Sequence, residues 1–317
     1  MKAIQLEEFG GAEALQYVDV PDPEAGEGEV VVEVARAGVN FADTHVTRND
    51  YLAEQVLPLI PGGEVAGRTP DGRRVAALLM NGGYAQRVAV YKAMLVPVPD
   101  EVTDDQAAGL LLQGLTAHAL LHRCARLEPG ETVVVEAAAG GTGSLAVQLA
   151  KRHGARVIGL ASSPEKRELV ERLGADATVD SRTEGDELRD AILEANGGRQ
   201  VNAVLEMTGG QAFEACLRTL APFGRLVTFG IASREPNEVN TGHLMRNSRA
   251  VIGFWLVHLL QDPTAAATAI GELLGAVAGG ELEVVIGGVY PLSEAKRAHD
   301  DIAARRTQGK LLLDPAA

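Results

Sequence analysis

The sequence predicts an α/β protein in which a doubly wound parallel sheet occupies the middle of the chain and antiparallel strands occupy its ends. Three observations predict it: a strand–turn–helix–strand pattern in residues 131–163, alternating strands and helices up to residue 255, and a first third without long helices. We therefore expect a doubly wound domain over residues 113–256 and a second domain built jointly from residues 1–112 and 257–317. A chain of 317 residues also exceeds the usual size of one hydrophobic core.

The first third of the chain is predicted to contain strands of an antiparallel barrel. Residues 30–37 and 85–90 have strand patterns, and turns rich in proline and glycine separate the segments. Helical patterning begins near Asp104, and a helix over residues 113–126 is expected to lead into the doubly wound domain.

The middle of the chain begins with a βαβ unit. A β-branched run at residues 132–136 predicts a strand buried on both faces, residues 144–153 have helical spacing, and residues 155–161 return to a strand pattern. Later elements are predicted at residues 203–207, 211–220, 225–230, 250–255, 264–278, 284–290, 293–305 and 310–313.

The turn of this unit has the composition of a dinucleotide-binding loop. Gly140, Gly141 and Gly143, with Thr142 between the last two, lie after a strand and before a helix. Glycines there permit positive φ and let a pyrophosphate approach the backbone, while the helix amides face its negative charge. When the loop is aligned with the motif G-x-G-x-x-G, Ala138 stands at the position of the first glycine. Because the loop lies between a predicted strand and a predicted helix, a dinucleotide site is still favoured over an ordinary glycine-rich turn.

The segment after the second strand predicts NADPH as the cofactor. It reads LASSPEKR, without the acid that usually binds the ribose hydroxyls of NAD at a strand end. Ser162, Ser163 and Lys166 offer two hydroxyls and a cation, which suit a 2′-phosphate. A second interpretation remains: the serines cap a helix that begins near Pro164, and Lys166 is solvated.

Composition narrows the function classes. The formal net charge of −14 argues against binding nucleic acid or an anionic membrane. Two cysteines do not form a disulfide scaffold and fit a reducing compartment. With no apolar signal-peptide region at the start and no uncharged window of transmembrane length, we expect a cytoplasmic protein.

Several segments together resemble the medium-chain dehydrogenase/reductase superfamily, in its zinc-independent NADPH:quinone oxidoreductase branch. They are MKAIQLEEFGG, AGVNFADTHV at residues 37–46, PGGEVAG at residues 61–67, AAAGGTG, LASSPEK and RRTQGKLLL. The resemblance covers nearly the whole chain. It implies a GroES-like catalytic domain, a Rossmann domain, and NADPH in the cleft between them.

The resemblance also implies that the protein uses no zinc. Zinc-dependent relatives have a cysteine ligand where this chain has Asn40 and a histidine ligand where it has Gly63, just before the retained Glu64. His118 and His122 have a metal-like i, i+4 spacing, but no third ligand is evident between or beside them. We therefore expect no metal site.

Without a metal to polarise a carbonyl, a substrate that accepts hydride unaided is expected. Quinones and α,β-unsaturated carbonyls accept hydride because the resulting charge is delocalised onto oxygen. The alternative is a non-catalytic NADPH-binding protein with the same fold, since fold does not determine function.

By resemblance, Asn40, Phe41 and His45 line the nicotinamide side of the site. His45 and Tyr51 are candidate proton donors. Each also has a structural alternative: Tyr51 anchors its loop, or His45 is a hydrogen-bonded residue of a helix. Ser181 replaces a tyrosine found near the adenine in some relatives. Further cofactor contacts are expected from Thr116, at the start of the linking helix, and from Thr208, Phe229, Gly230, Ile231, Phe254, Trp255, Leu256 and Arg305; Phe254 and Trp255 are equally compatible with a core position.

The apolar run at residues 250–255 predicts the outer strand of the doubly wound sheet. An uncovered edge strand promotes aggregation unless it is paired, and relatives commonly pair it across a two-fold axis. We therefore expect a homodimer, with coverage of the edge by the same chain as the alternative.

Overall fold

A computed structural model describes all residues, 1–317, and the chain divides into two compact units. The terminal unit comprises Met1–Leu112 and Ile270–Ala317, and the central unit comprises Gln113–Ala269. The second boundary therefore lies after Ala269, whereas the sequence predicted it after Leu256. One reason is that the intervening segment contacts the central unit: Arg123 Nη2 lies 3.2 Å from Asp262 Oδ2.

The terminal unit is mainly β structure. Its strands are β1 (Lys2–Gln5), β2 (Gln16–Asp19), β3 (Glu29–Val39), β4 (Glu64–Arg68), β5 (Arg74–Leu78), β6 (Arg87–Tyr91), β7 (Val96–Pro97), β14 (Ile286–Pro291) and β15 (Lys310–Asp314). Its helices are α1 (Phe41–Val46) and α10 (Ala295–Ala303), together with the parts of α2 (Asp104–Ala119) and α9 (Pro263–Ala278) on its side of the two boundaries.

Seven strands of this unit form one sheet in the order β14-β15-β3-β4-β5-β7, with β6 also paired to β3. All pairs are antiparallel except β14 with β15. The long strand β3 is central because its alternating valines bury one face, with Val32 and Val34 in the core beside Leu311 and Tyr84.

The central unit contains the predicted doubly wound sheet. Its strands are β8 (Thr132–Val135), β9 (Arg156–Ala161), β10 (Ala177–Asp180), β11 (Val201–Glu206), β12 (Leu220–Thr228) and β13 (Ala250–Gly253). The helices between and after them are α3 (Gly141–Arg152), α4 (Pro164–Arg172), α5 (Gly185–Ala195), α6 (Gly210–Thr219), α7 (Thr241–Asn247) and α8 (Leu256–Leu260).

The six strands are parallel and follow the order β10-β9-β8-β11-β12-β13. The strand order reverses between β8 and β11, which is the position where ligands bind in sheets of this kind. All four residues of β8, TVVV, are buried, as expected for a central parallel strand that is covered on both faces. The predicted α/β fold class is confirmed, and β13 is the outer strand as predicted.

Several elements were not predicted, and in the central unit they include β10 and α5. Strand β10 reads ATVD and buries only Val179, so it lacks the continuous apolar run that identifies the other strands. The helix expected over residues 113–126 is instead the second part of α2, which begins at Asp104 and continues into a π-helical turn at Leu120–Cys124. Thr116 consequently lies near the end of α2 and not at the start of a helix.

None of the helices combines the length and the apolar character that crossing a lipid bilayer requires.

Candidate functional site

The glycine loop of the central unit joins the end of β8 to the start of α3. Gly140 is the N-cap of α3 in extended conformation, with φ −83° and ψ −179°, and no side chain caps the helix. The first amides of α3 therefore have no partner within the helix and can bind an anion. The Thr142 hydroxyl donates to Gln113 Oε1, which ties the start of α3 to α2.

The glycines of this loop are required for close approach rather than for unusual backbone angles. These glycines permit positive φ, but Gly140, Gly141 and Gly143 do not adopt it, and within the loop only Ala137 does, at 45°. A Cβ on Gly143 would lie 2.7 Å from the Cα of Ala138 and would also collide with the Ala137 carbonyl oxygen. The third glycine therefore allows α3 to pack directly against the loop, which is its role in dinucleotide sites.

Both interpretations of the segment after β9 are compatible with its geometry. Ser163 is the N-cap of α4, and its Oγ accepts from the backbone N–H of Lys166 at 3.3 Å. Ser162, Ser163 and Lys166 are half-buried at the carboxyl end of β9, so a capping role for Ser163 leaves Ser162 and the Lys166 ammonium at the position expected for a 2′-phosphate.

A charged group beside this segment was missed from the sequence. Arg182 donates to both oxygens of Asp180, at 2.6–3.2 Å, and Arg167 lies 3.4 Å from the same carboxylate. The Arg182 guanidinium lowers the pKa of Asp180 to about 2. The signal was hidden because Asp180 ends β10, which the sequence did not predict. Ser181, the next residue, is exposed and donates its backbone N–H to Ala161 O at 3.2 Å.

Two buried glutamates support the turn after β11, at the point where the strand order reverses. Glu136 Oε2 accepts from the backbone N–H groups of Met207 and Thr208, both at 3.0 Å. Glu206 Oε1 accepts from the backbone N–H of Gly209. Burial and the negative charge of Glu136 raise the pKa of Glu206. The pair fixes the backbone that presents Thr208, and it too was missed from the sequence.

The predicted residues after β12 and β13 follow the same edge of the sheet. The loop after β12 pairs with the turn after β11 through Ala232 N to Met207 O, 3.0 Å, and Ser233 N to Thr208 O, 2.7 Å. The residues concerned are half-buried, which keeps them accessible to a ligand: Thr208, Phe229, Gly230, Ile231, Phe254, Trp255 and Leu256. Thr116, on α2 of the same unit, is only 7% exposed.

In the terminal unit, Asn40 is buried and stands before the first residue of α1. Its Oδ1 accepts from Lys310 Nζ at 2.6 Å, and the same ammonium donates to Glu64 Oε1. Sheet register explains the contacts, because Leu311 pairs with Val39 and Val65 pairs with Ala37. Gly38 leaves the necessary room, since a Cβ there would lie 2.5 Å from Glu64 Oε1.

This arrangement does not fit a zinc ion at the position where zinc-dependent relatives bind one. An ammonium group lies against both Asn40 and Glu64, and ammonium is not a metal ligand. No group of three or more His, Cys, Asp or Glu side chains in the structure is arranged to hold a metal. His118 and His122 lie 4.7 Å apart between ring centroids, with His153 at 4.9 Å from His122; freedom from zinc stays a prediction.

The two candidate proton donors contact each other. His45 Nδ1 lies 2.7 Å from Asp50 Oδ1, and the His45 ring stacks on Tyr51 at 5.3 Å and meets Phe41 edge-on at 5.7 Å. Burial raises the pKa of the Tyr51 phenol, so it stays protonated at neutral pH. His45 is only 2% exposed, which makes half-buried Tyr51 the more accessible donor. Arg305, after α10, is exposed and has φ 56°.

Comparison with known proteins agrees with this fold. Residues 141–272 match the family model described as zinc-binding dehydrogenase, and residues 26–100 match the alcohol dehydrogenase GroES-like domain. The chain is therefore a member of the medium-chain dehydrogenase/reductase superfamily.

Relatives over the full length identify the branch. A quinone oxidoreductase of Pseudomonas aeruginosa is 37% identical, covering 99% of each chain. A quinone oxidoreductase of Thermus thermophilus, solved by itself and in complex with NADPH, is 41% identical with a TM-score of 0.89. The NADPH complex of an Escherichia coli quinone oxidoreductase is 31% identical with a TM-score of 0.94, and each match covers 99% of this chain and 100% of the other. The chain belongs to the quinone oxidoreductase family, which confirms the resemblance.

Proposed function

We propose that the protein is an NADPH-dependent, zinc-free oxidoreductase that reduces a quinone or an α,β-unsaturated carbonyl. The observation that carries the proposal is the glycine loop at the start of α3: Gly143 admits no Cβ, and the helix amides after Gly140 are uncapped. Both features suit a pyrophosphate. Membership of the quinone oxidoreductase family supports the same activity.

Different residues would bind the cofactor, orient the reacting groups and donate the proton. Gly141, Thr142 and Gly143 would hold the pyrophosphate through backbone N–H groups. Gly140, whose own N–H donates to Ala137 O at 2.8 Å, would let the pyrophosphate approach the backbone. A bound NADPH supplies hydride from nicotinamide C4. Asn40 and Phe41 orient the reacting groups and exclude water. Tyr51, protonated at neutral pH, donates the proton that the substrate oxygen takes up.

Activity is tested with a panel of quinones and enones. We expect oxidation of NADPH, followed at 340 nm, only when an acceptor is present, and retention of activity after chelation. Elemental analysis should find no stoichiometric zinc, because Lys310 lies against Asn40 and Glu64. Tight NADPH binding without turnover on any acceptor would favour the non-catalytic alternative, and close to one zinc per chain would contradict the mechanism.

Cofactor preference provides a second prediction. We expect NADPH to bind more tightly than NADH, with Ser162, Ser163, Lys166 and Arg305 as contacts of the 2′-phosphate. Lys166→Ala should lower NADPH affinity by about 1–3 kcal/mol, the range of a charge-assisted hydrogen bond. Titration by fluorescence checks this.

NADH is the matched control, because it lacks the 2′-phosphate and its affinity should hardly change in Lys166→Ala. Equal affinity of the wild type for both cofactors would contradict the prediction.

We also propose a homodimer formed by the outer strand β13. On β13, Ala250, Val251 and Ile252 are only half-buried. Nearby, Phe223 is 80% and Met245 77% exposed, although both are large and apolar. An apolar, unpaired strand edge of this kind is stabilised by pairing with a second copy across a two-fold axis.

Light scattering at micromolar concentration should give the mass of two chains, and Val251→Lys should give the mass of one, because it puts a charge into the interface. Val289→Lys makes the same change at a valine that is 42% exposed on β14, and it should stay dimeric. A dimer that survives Val251→Lys would contradict the proposed interface.

We further propose a cytoplasmic location, since two cysteines that form no disulfide fit a reducing compartment.

A further inference from the structure

Asn40 is held on two sides by buried polar groups. Its side-chain oxygen accepts from Lys310 Nζ at 2.6 Å, and its backbone N–H donates to Asp43 Oδ2 at 2.9 Å. Asn40, Asp43 and Lys310 are each at most 5% exposed. The position of Asn40 therefore depends on an ammonium group on one side and a carboxylate on the other.

The carboxylate of Asp43 ends a longer buried chain of hydrogen bonds. The Tyr84 hydroxyl donates to Asp43 Oδ2 at 2.7 Å and lies 3.1 Å from His299 Nε2. Since a hydroxyl has one proton to donate, His299 must supply the proton of the second bond from Nε2. His299 Nδ1 is then the acceptor nitrogen of the ring, and it is buried without a partner.

The groups around Asp43 make its charge sensitive to pH. Burial raises the pKa of Asp43 to about 6, against the Asn40 N–H, the Tyr84 hydroxyl and the positive charge of Lys310 on β15, while Glu64 on β4 raises it further. On α10, burial lowers the pKa of His299 to about 4, so this ring is neutral near pH 6.

We propose that Asp43 is a positioning residue for Asn40: the ionised carboxylate, oriented by Tyr84 and His299, holds the Asn40 backbone in place, and protonation of Asp43 weakens this hold. The inference rests on the proposed function, in which Asn40 orients the reacting groups. Asp43 itself contacts no substrate in this scheme and acts through Asn40.

A pH dependence with a defined sign follows. Above about pH 6 the Asp43 carboxylate is ionised and accepts from the Asn40 N–H. Below about pH 6 Asp43 is protonated, and the added proton occupies one of the positions at which the carboxylate accepts hydrogen bonds. The kcat should therefore fall below about pH 6, approaching tenfold per pH unit for one proton. Removing the Tyr84 hydroxyl withdraws a donor that favours the ionised form, so the fall should begin at a higher pH in Tyr84→Phe.

The test is the pH profile of kcat between about pH 5 and pH 9, at saturating NADPH and 1,4-naphthoquinone. Asp43→Asn should be slow at every pH and show no acidic limb, and Tyr84→Phe should have its limb displaced upward. Asp100→Asn makes the same acid-to-amide change at an exposed residue of the terminal unit and should keep the wild-type profile. An unchanged limb in Tyr84→Phe would overturn the inference, even if Asp43→Asn failed to fold.

A readout without cofactor separates this inference from the proposed function. In the cofactor-free protein, the Asn40 backbone amide resonance should titrate near pH 6, because that N–H donates to Asp43, and the titration should be absent in Asp43→Asn. A resonance that does not move between about pH 5 and pH 8 would overturn the inference whatever the activity. Turnover with no dependence on Asp43 would overturn it and leave the function intact, whereas titration without turnover on any quinone would overturn the function alone.

Discussion

Replacing Lys310 with methionine should destabilise the protein by about 3–5 kcal/mol, the cost of removing one partner of a buried ion pair. Lys310 and Glu64 are 2% and 1% exposed in their side chains. Without the ammonium, the Glu64 carboxylate is left buried with the Leu112 N–H, at 3.0 Å, as its remaining partner. Urea unfolding of the cofactor-free protein measures the change.

Two further variants identify the cause of this loss. Glu64→Gln combined with Lys310→Met removes both charges, so the double variant should regain most of the lost stability. Lys296→Met deletes an ammonium paired with Glu13 and Asp300 at a site that is 45% exposed, and it should cost no more than about 1 kcal/mol. Equal losses in Lys310→Met and Lys296→Met would show that the buried pair has no special weight.

The nucleotide-binding part of the fold could be predicted because its determinants are local in sequence. Strand β8, the glycine loop and α3 follow one another without interruption, so periodicity and turn composition identify them together. The same locality left one question open at Ser163. A serine before Pro164 is an N-cap and is also suitably placed for a phosphate, and the observed bond from Lys166 N is compatible with both roles.

The polar network of the terminal unit could not be predicted, because its members are distant in sequence. Lys310 and Asn40 are 270 residues apart, and Tyr84 and His299 are 215 apart. Pairing of β15 with β3 brings Lys310 to Asn40, and packing of α10 into the same core as Tyr84 brings His299 to Tyr84. Neither contact follows from a local sequence pattern. Burial then changes the chemistry: nothing in the local sequence distinguishes Asp43 from an ordinary acid, whereas the interior raises its pKa to about 6.

Among substitutions that add one methyl group in the central unit, Gly143→Ala should weaken cofactor binding most. The added Cβ would meet backbone atoms, the Ala137 carbonyl oxygen and Ala138 Cα, the latter at 2.7 Å. Backbone atoms cannot rotate away as a side chain can, so the start of α3 must move away from the loop. Its N–H groups are then no longer oriented toward the pyrophosphate.

We expect Gly143→Ala to weaken NADPH binding by at least about tenfold and to cost about 1–3 kcal/mol of stability, the usual range for overpacking. Fluorescence titration and urea unfolding measure the two quantities. Gly271→Ala is the matched control, since it adds the same methyl group within α9 at a position with no atom within 4 Å. That variant should bind NADPH like the wild type and be slightly more stable, by about 0.5–1 kcal/mol. Wild-type affinity in Gly143→Ala would show that the loop and α3 do not need their close contact to hold the cofactor.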